Sequence, residues 1–113
     1  MSVMTNMIDT LKAAGLDAYL PGRHQGQCLK PYTVIEGGGT EQVGKTTGRH
    51  VYLVTVLVPL DAPTRMQTEL VNVQTALKTM PFLKIGEKNP DFIDEDKNAY
   101  CVALEYSALC SLT

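Results

Sequence analysis

A chain of 113 residues has room for one hydrophobic core but not for two independent ones. Its apolar fraction of 44% and charged fraction of 19% exclude wholesale disorder, and a net charge of -2 provides no electrostatic footprint for duplex DNA. The longest apolar stretch, Val51 to Leu60, is broken by Thr55 and Pro59 and falls far short of the roughly 20 residues of a membrane-spanning helix.

No basic segment followed by a continuous apolar run opens the chain, so a reducing, cytoplasmic-type setting is expected. Cys28, Cys101 and Cys110 are odd in number and widely spaced, a pattern that fits neither a disulfide framework nor a paired-cysteine zinc site. Free thiols are expected.

In chain order, Met4, Met7, Ile8, Leu11 and Ala14 recur at three- and four-residue intervals and predict an amphipathic helix over Val3 to Ala14. Gly15 stops it, since a residue without Cβ takes the left-handed conformation that closes a helix. Met1, Met4 and Met7 read either as adaptable packing at a subunit contact or as plain core filling. Ala18 to Leu20 can form a short strand, and Pro21, Gly22 and Gly26 then mark a turn or loop.

Two strands follow, Pro31 to Glu36 and Arg49 to Leu60, the latter the strongest strand signal in the chain. Gly37 to Gly48 between them holds five of the nine glycines and predicts a long, polar, mobile loop. Pro63 and Thr64 open a second helix with Thr64 and Gln67 spaced as a capping box, and Met66, Leu70, Val73 and Leu77 mark its buried face until Pro81 ends it. Phe82 to Ile85 starts another strand. Glu87 to Asn98 reads as a polar loop with a short strand inside it. Ala99 to Leu109 is a final strand with Tyr100, Val102, Leu104, Tyr106 and Ala108 on one face.

The expected fold is α+β, a single domain over residues 1–113 in the order α-β-β-β-α-β-β. A mainly antiparallel sheet carries both helices on one face. The other face of Val51 to Val58 is also apolar, which calls for cover by a subunit neighbour.

Gly39-Thr40-Glu41-Gln42-Val43-Gly44-Lys45-Thr46 matches the phosphate-binding pattern of P-loop proteins. That chemistry needs a helix directly after the loop, whose N-terminal N–H groups and dipole hold the phosphate. Here Thr47, Gly48, Arg49 and His50 lead into a β-branched run instead, so small NTP-binding protein is an outside reading only. His24 and Cys28, four residues apart, have the spacing of a weak thiol-imidazole pair, with an incidental cysteine as the plainer reading. The run Asp91 to Asp96 lacks the glycine and terminal glutamate of a calcium loop and reads as a solvated acidic segment.

Four stretches together resemble a known family: LKAAGLDAYLPGRHQGQC (11–28), KPYTVIEGGGTE (30–41), VYLVTVLVPL (51–60) and DEDKNAYCVALEYSAL (94–109). Taken with the helix between the last two, they are similar to the tail terminator (tail completion, tail-to-head joining) proteins of phages and prophages of Gram-positive bacteria. The resemblance implies a structural protein without cofactor, metal or catalytic residue, in the virion tail and assembled in the host cytoplasm. It also implies a homo-oligomer, a hexameric ring that caps the tail tube, ends its polymerisation and forms the head-tail interface. Its partners would be the tube protein, the sheath if the tail is contractile, and a head-completion or connector protein, with no membrane and no specific nucleic acid. The alternative is another connector or head-completion protein of the same gene region.

Within that picture the candidate partner contacts lie in the expected loop: Gly37, Gly38, Gly39, Thr40, Glu41, Gln42, Val43, Gly44, Lys45, Thr46, Thr47, Gly48 and Arg49. A loop of this composition would project and order on contact.

Overall fold

The computed structural model describes residues 3–22, 26–80, 83–88 and 90–111. The apolar spacing of the first helix, α1 (Val3–Ala13), buries Met7, Ile8 and Leu11. The Leu16 N–H donates to the Leu11 carbonyl at 3.0 Å and the Gly15 N–H to Lys12 at 3.0 Å, with Gly15 at φ +83°. This paired closure satisfies carbonyls that the helix end would otherwise leave open, and it needs the positive φ that glycine tolerates.

Beyond it lie β1 (Ala18–Tyr19), β2 (Tyr32–Gln42), β3 (Thr47–Pro59), α2 (Arg65–Leu77), β4 (Lys84–Lys88), β5 (Phe92–Asp94) and β6 (Ala99–Ser111). The short strand expected inside Glu87 to Asn98 is β5, so three strands follow α2 where the condensed order counted two. The strands form one sheet in the order β1-β2-β3-β6-β4, with β5 also on β6. Every pairing is antiparallel except the parallel β1-β2 contact. The fold is α+β, as the element pattern predicted.

Both helices lie on one face. Met7, Ile8 and Leu11 of α1 and Met66, Leu70, Val73 and Leu77 of α2 share a core with Ile35, Val54, Val56, Val58, Val102 and Leu104. Period-two alternation explains the selection, because only every second residue of β3 and β6 points at the helices.

Three local expectations are corrected. Thr64 is not a capping box: its backbone is already helical (φ -66°, ψ -16°) and its side chain makes no cap hydrogen bond. A capping residue needs extended backbone, and the Met66 N–H is taken by the Pro63 carbonyl at 3.1 Å. Helix α2 ends at Leu77, short of Pro81, which lies outside the described residues. Thr79 and Met80 donate instead to carbonyls three residues back, and the Thr79 hydroxyl bonds to Ala76 O at 2.8 Å. The strand placed at Phe82 to Ile85 runs over Lys84–Lys88.

The fourth correction concerns residues 37–48, which are for the most part not a loop. Strand β2 continues to Gln42 and β3 begins at Thr47, so only residues 43–46 lie outside the strands. Glycines disfavour strand structure in isolation, but β3 is held along its whole length by β6, and β2 pairs onto that template.

Candidate functional site

The expected contact residues form a projecting arm. Its register with β3 slips between Gly37, opposite Tyr52, and Gly39, opposite Val51, which leaves Gly38 as the extra residue of a bulge. Gly39 has φ +100°, and a methyl group on Gly38 would meet Val51 Cγ1 at 3.3 Å. The triple glycine therefore serves as a bend within a strand.

The helices stop at the root of the arm, where a methyl on Gly37 would touch the Met4 sulfur at 3.6 Å. Past that point β2, β3 and β6 continue as a three-stranded ribbon, with Gln42 opposite Gly48 and Thr47 opposite Ser111. Thirteen residues of β3 at about 3.3 Å each span about 43 Å. This strand accounts for most of the molecule's longest dimension of 48 Å, against 26 and 23 Å across.

Residues 36–46 are all exposed. Thr40 and His50 face each other across the hairpin, with Oγ1 and Nδ1 2.8 Å apart. At the turn the Val43 and Gly44 N–H groups both donate to the Thr47 carbonyl, at 3.0 and 3.1 Å, and Gln42 Nε2 donates to Gly44 O at 2.9 Å. Two of the amides that a phosphate loop would present to its ligand are thus used within the turn, and a strand follows where the cradle requires a helix. The Gly39 to Thr46 pattern is a hairpin.

The sheet face away from the helices is divided in two. At one end the segment before β2 folds across it: Cys28, Tyr32, Leu57, Ala99 and Cys101 form a second small core. The Cys28 N–H anchors the segment to the Lys97 carbonyl at 2.7 Å, and Tyr19 packs edge-on to Tyr32 at 5.7 Å. Of the open face of Val51 to Val58, for which the sequence called for a neighbour, the chain itself covers Leu57. Val51, Leu53 and Thr55 remain half-exposed beyond that segment.

Nearer the arm, a groove of about 490 Å³ runs along the open face, lined by Arg49, Lys84, Ile85, Glu105, Ser107 and Leu109 among others. Of the expected contact residues, only Arg49 lines it. Lys45 is exposed at the hairpin turn.

The Cys28 and Cys101 thiols are not poised as nucleophiles. Burial pushes the Cys28 thiol up, against the opposing field of Lys97 and its hydrogen bond to the Lys30 carbonyl. Cys101 is pushed up to about 11 by burial and then by the Asp94 carboxylate. Both thiols are reduced, His24 lies outside the described residues, and so does the Cys110 side chain. A reactive cysteine needs its thiolate stabilised, the reverse of this environment.

The acidic run builds a turn. Asp94 Oδ1 accepts the Lys97 N–H at 3.2 Å, Glu95 O accepts the Asn98 N–H at 3.3 Å, and Asn98 takes φ +54°. Tyr100 donates its hydroxyl proton to Asp91. Among the described residues no group of three or more His, Cys, Asp or Glu is gathered as a metal site would require, and no helix is long and apolar enough to cross a membrane. No protein-family model matches the chain, and no curated protein matches it.

Sequence reasoning placed strands near Ile85 and inside Glu87 to Asn98 but missed that they form one exposed apolar edge of the sheet. Phe92, Ile93 and Ile85 are exposed there by about half, and Leu109 by 65%. The signal was present in Phe92 and Ile93, two large apolar residues inside a polar run with no core to enter.

Proposed function

We propose that this chain is a structural protein of a phage or prophage tail, of the tail terminator kind. Copies close into a ring that caps the tail tube, ends its polymerisation and offers a surface to the head. The single observation that carries this reading is the three-stranded arm, which extends well past the helices and exposes every residue from 36 to 46. A single-domain protein has no folding need for such an extension, since it buries little apolar surface. It fits a part whose work is contact. The half-exposed open face supports the same reading, because sheet faces without cover are surfaces for other chains.

In this scheme the turn at residues 43–46 touches the tube or the connector. Replacing those four residues by Asn-Gly, which favours a tight two-residue hairpin, should keep the melting temperature near that of the parent. Purified parent protein should appear as six-membered rings by native mass spectrometry and negative-stain microscopy. The shortened variant should still form rings yet fail to complete tails. Full particle yield from the variant would remove the arm from the joining step, and rings that bind the connector but never the tube would favour the connector reading.

A further inference from the structure

The sheet ends in two unlike edges. On one side β1 pairs with β2 only at Thr33 and Val34, so among the described residues the outer edge of β2 from Ile35 to Gln42 has no strand beside it. An unpaired edge of that length presents backbone donors and acceptors to any strand that can approach. Its ionisable residues are Glu36 and Glu41, both acidic and both exposed. Their partners in β3, Leu53 and Arg49, place them on the open face.

On the other side β4 and β5 lie one after the other along β6. Among the described residues, four of the seven exposed large apolar side chains are on β4, β5 and the end of β6: Ile85, Phe92, Ile93 and Leu109. Lys84, paired with Ser107, is exposed on the open face of this edge.

We propose that these two edges bind each other between copies: the β2 edge of one molecule adds to the β4-β5 edge of the next. The inference rests on the ring reading and names the contact that closes it. Joined this way, the sheet continues from copy to copy. Glu36 of one copy then lies on the same face as Lys84 of its neighbour, an opposite-charge pair across strands. The apolar side chains of the β4-β5 edge are covered by the added strand. Symmetric pairing is disfavoured at the β2 edge, since two such edges would bring together only glutamates. Contact between different patches is the kind that generates rings when the rotation closes.

Charge reversal tests this, with Glu36 chosen because Glu41 faces Arg49 of its own hairpin. Glu36→Lys and Lys84→Glu each change an exposed side chain, so thermal melts should stay near the parent, and Glu36→Gln serves as a milder variant. Each reversal should weaken self-association in sedimentation by about three- to fivefold per contact, accumulating round the ring. A one-to-one mixture of the two reversed proteins should regain assembly in alternating order, visible as equal stoichiometry in native mass spectra, and the double variant should also recover. If the parent forms rings and neither reversal weakens them, the edge contact is wrong while the ring reading stands. If the parent stays monomeric at every concentration, with and without tube protein, both fall. Loss in each single reversal followed by recovery in the double variant is the result a symmetric contact cannot give, since symmetric contacts of the double variant still set like charges together.

Discussion

Gly39 sits at φ +100°, in a region that residues with a side chain adopt only under strain. Gly39→Ala meets no neighbouring atom, so its whole effect is backbone strain. It should destabilise the fold by about 1–2 kcal/mol in urea unfolding. An unchanged midpoint would mean that the bulge re-forms elsewhere. Gly37 and Gly38 differ in kind, since an added Cβ makes only ordinary contact with the Met4 sulfur at Gly37 but crowds Val51 at 3.3 Å at Gly38, and so the three glycines are not equivalent. In the sequence they were indistinguishable from a flexible linker, because composition reports what a residue permits and not what its neighbours impose.

Among the elements, α2 offers the sharpest test of local reasoning. If Thr64 were a true cap, Thr64→Ala would cost about 1 kcal/mol, but with Met66 N–H already held by Pro63 the loss should stay below about 0.5 kcal/mol. Differential scanning calorimetry resolves the two. The helices, the closing role of Gly15, the strand Arg49 to Leu60 and the buried face of the last strand were legible, since each buries one face at a regular period. The extension of β2 to Gln42 was not legible, because its stability is borrowed from β3 and β6, whose partners lie far along the chain. The candidate contact residues were legible as a group without their shape. The strands that became β4 and β5 were read, but not that they lie in line along β6 as one exposed edge, because they are short and irregular in register.

Across the whole molecule, two cores of unequal size share one sheet, and the smaller contains groups that ionise at high pH. Burial pushes Cys101 up to about 11, Tyr32 up to about 12, and Cys28 above its usual value. These acids are neutral when protonated, so a raised folded pKa means that the unfolded chain gives up its protons first. Their contribution is therefore complete below about pH 9 and is lost as pH rises through the folded values. Stability should fall between about pH 9 and 11, read by chemical denaturation at each pH, and the fall should shrink in Cys101→Ala. A flat profile over that range would show that the small core opens without the rest.

The pairing of Thr47 with Ser111 brings the end of β6 to the same extremity as the hairpin turn, while α1 begins near Gly37 at the arm's root. A label joined after β6 therefore leaves the molecule at the arm's outermost point. One joined ahead of α1 leaves it where the arm departs from the body. The first would act as a wedge in any contact that the arm makes and the second as a bystander, so the choice of end for an affinity tag is itself an experiment on the arm.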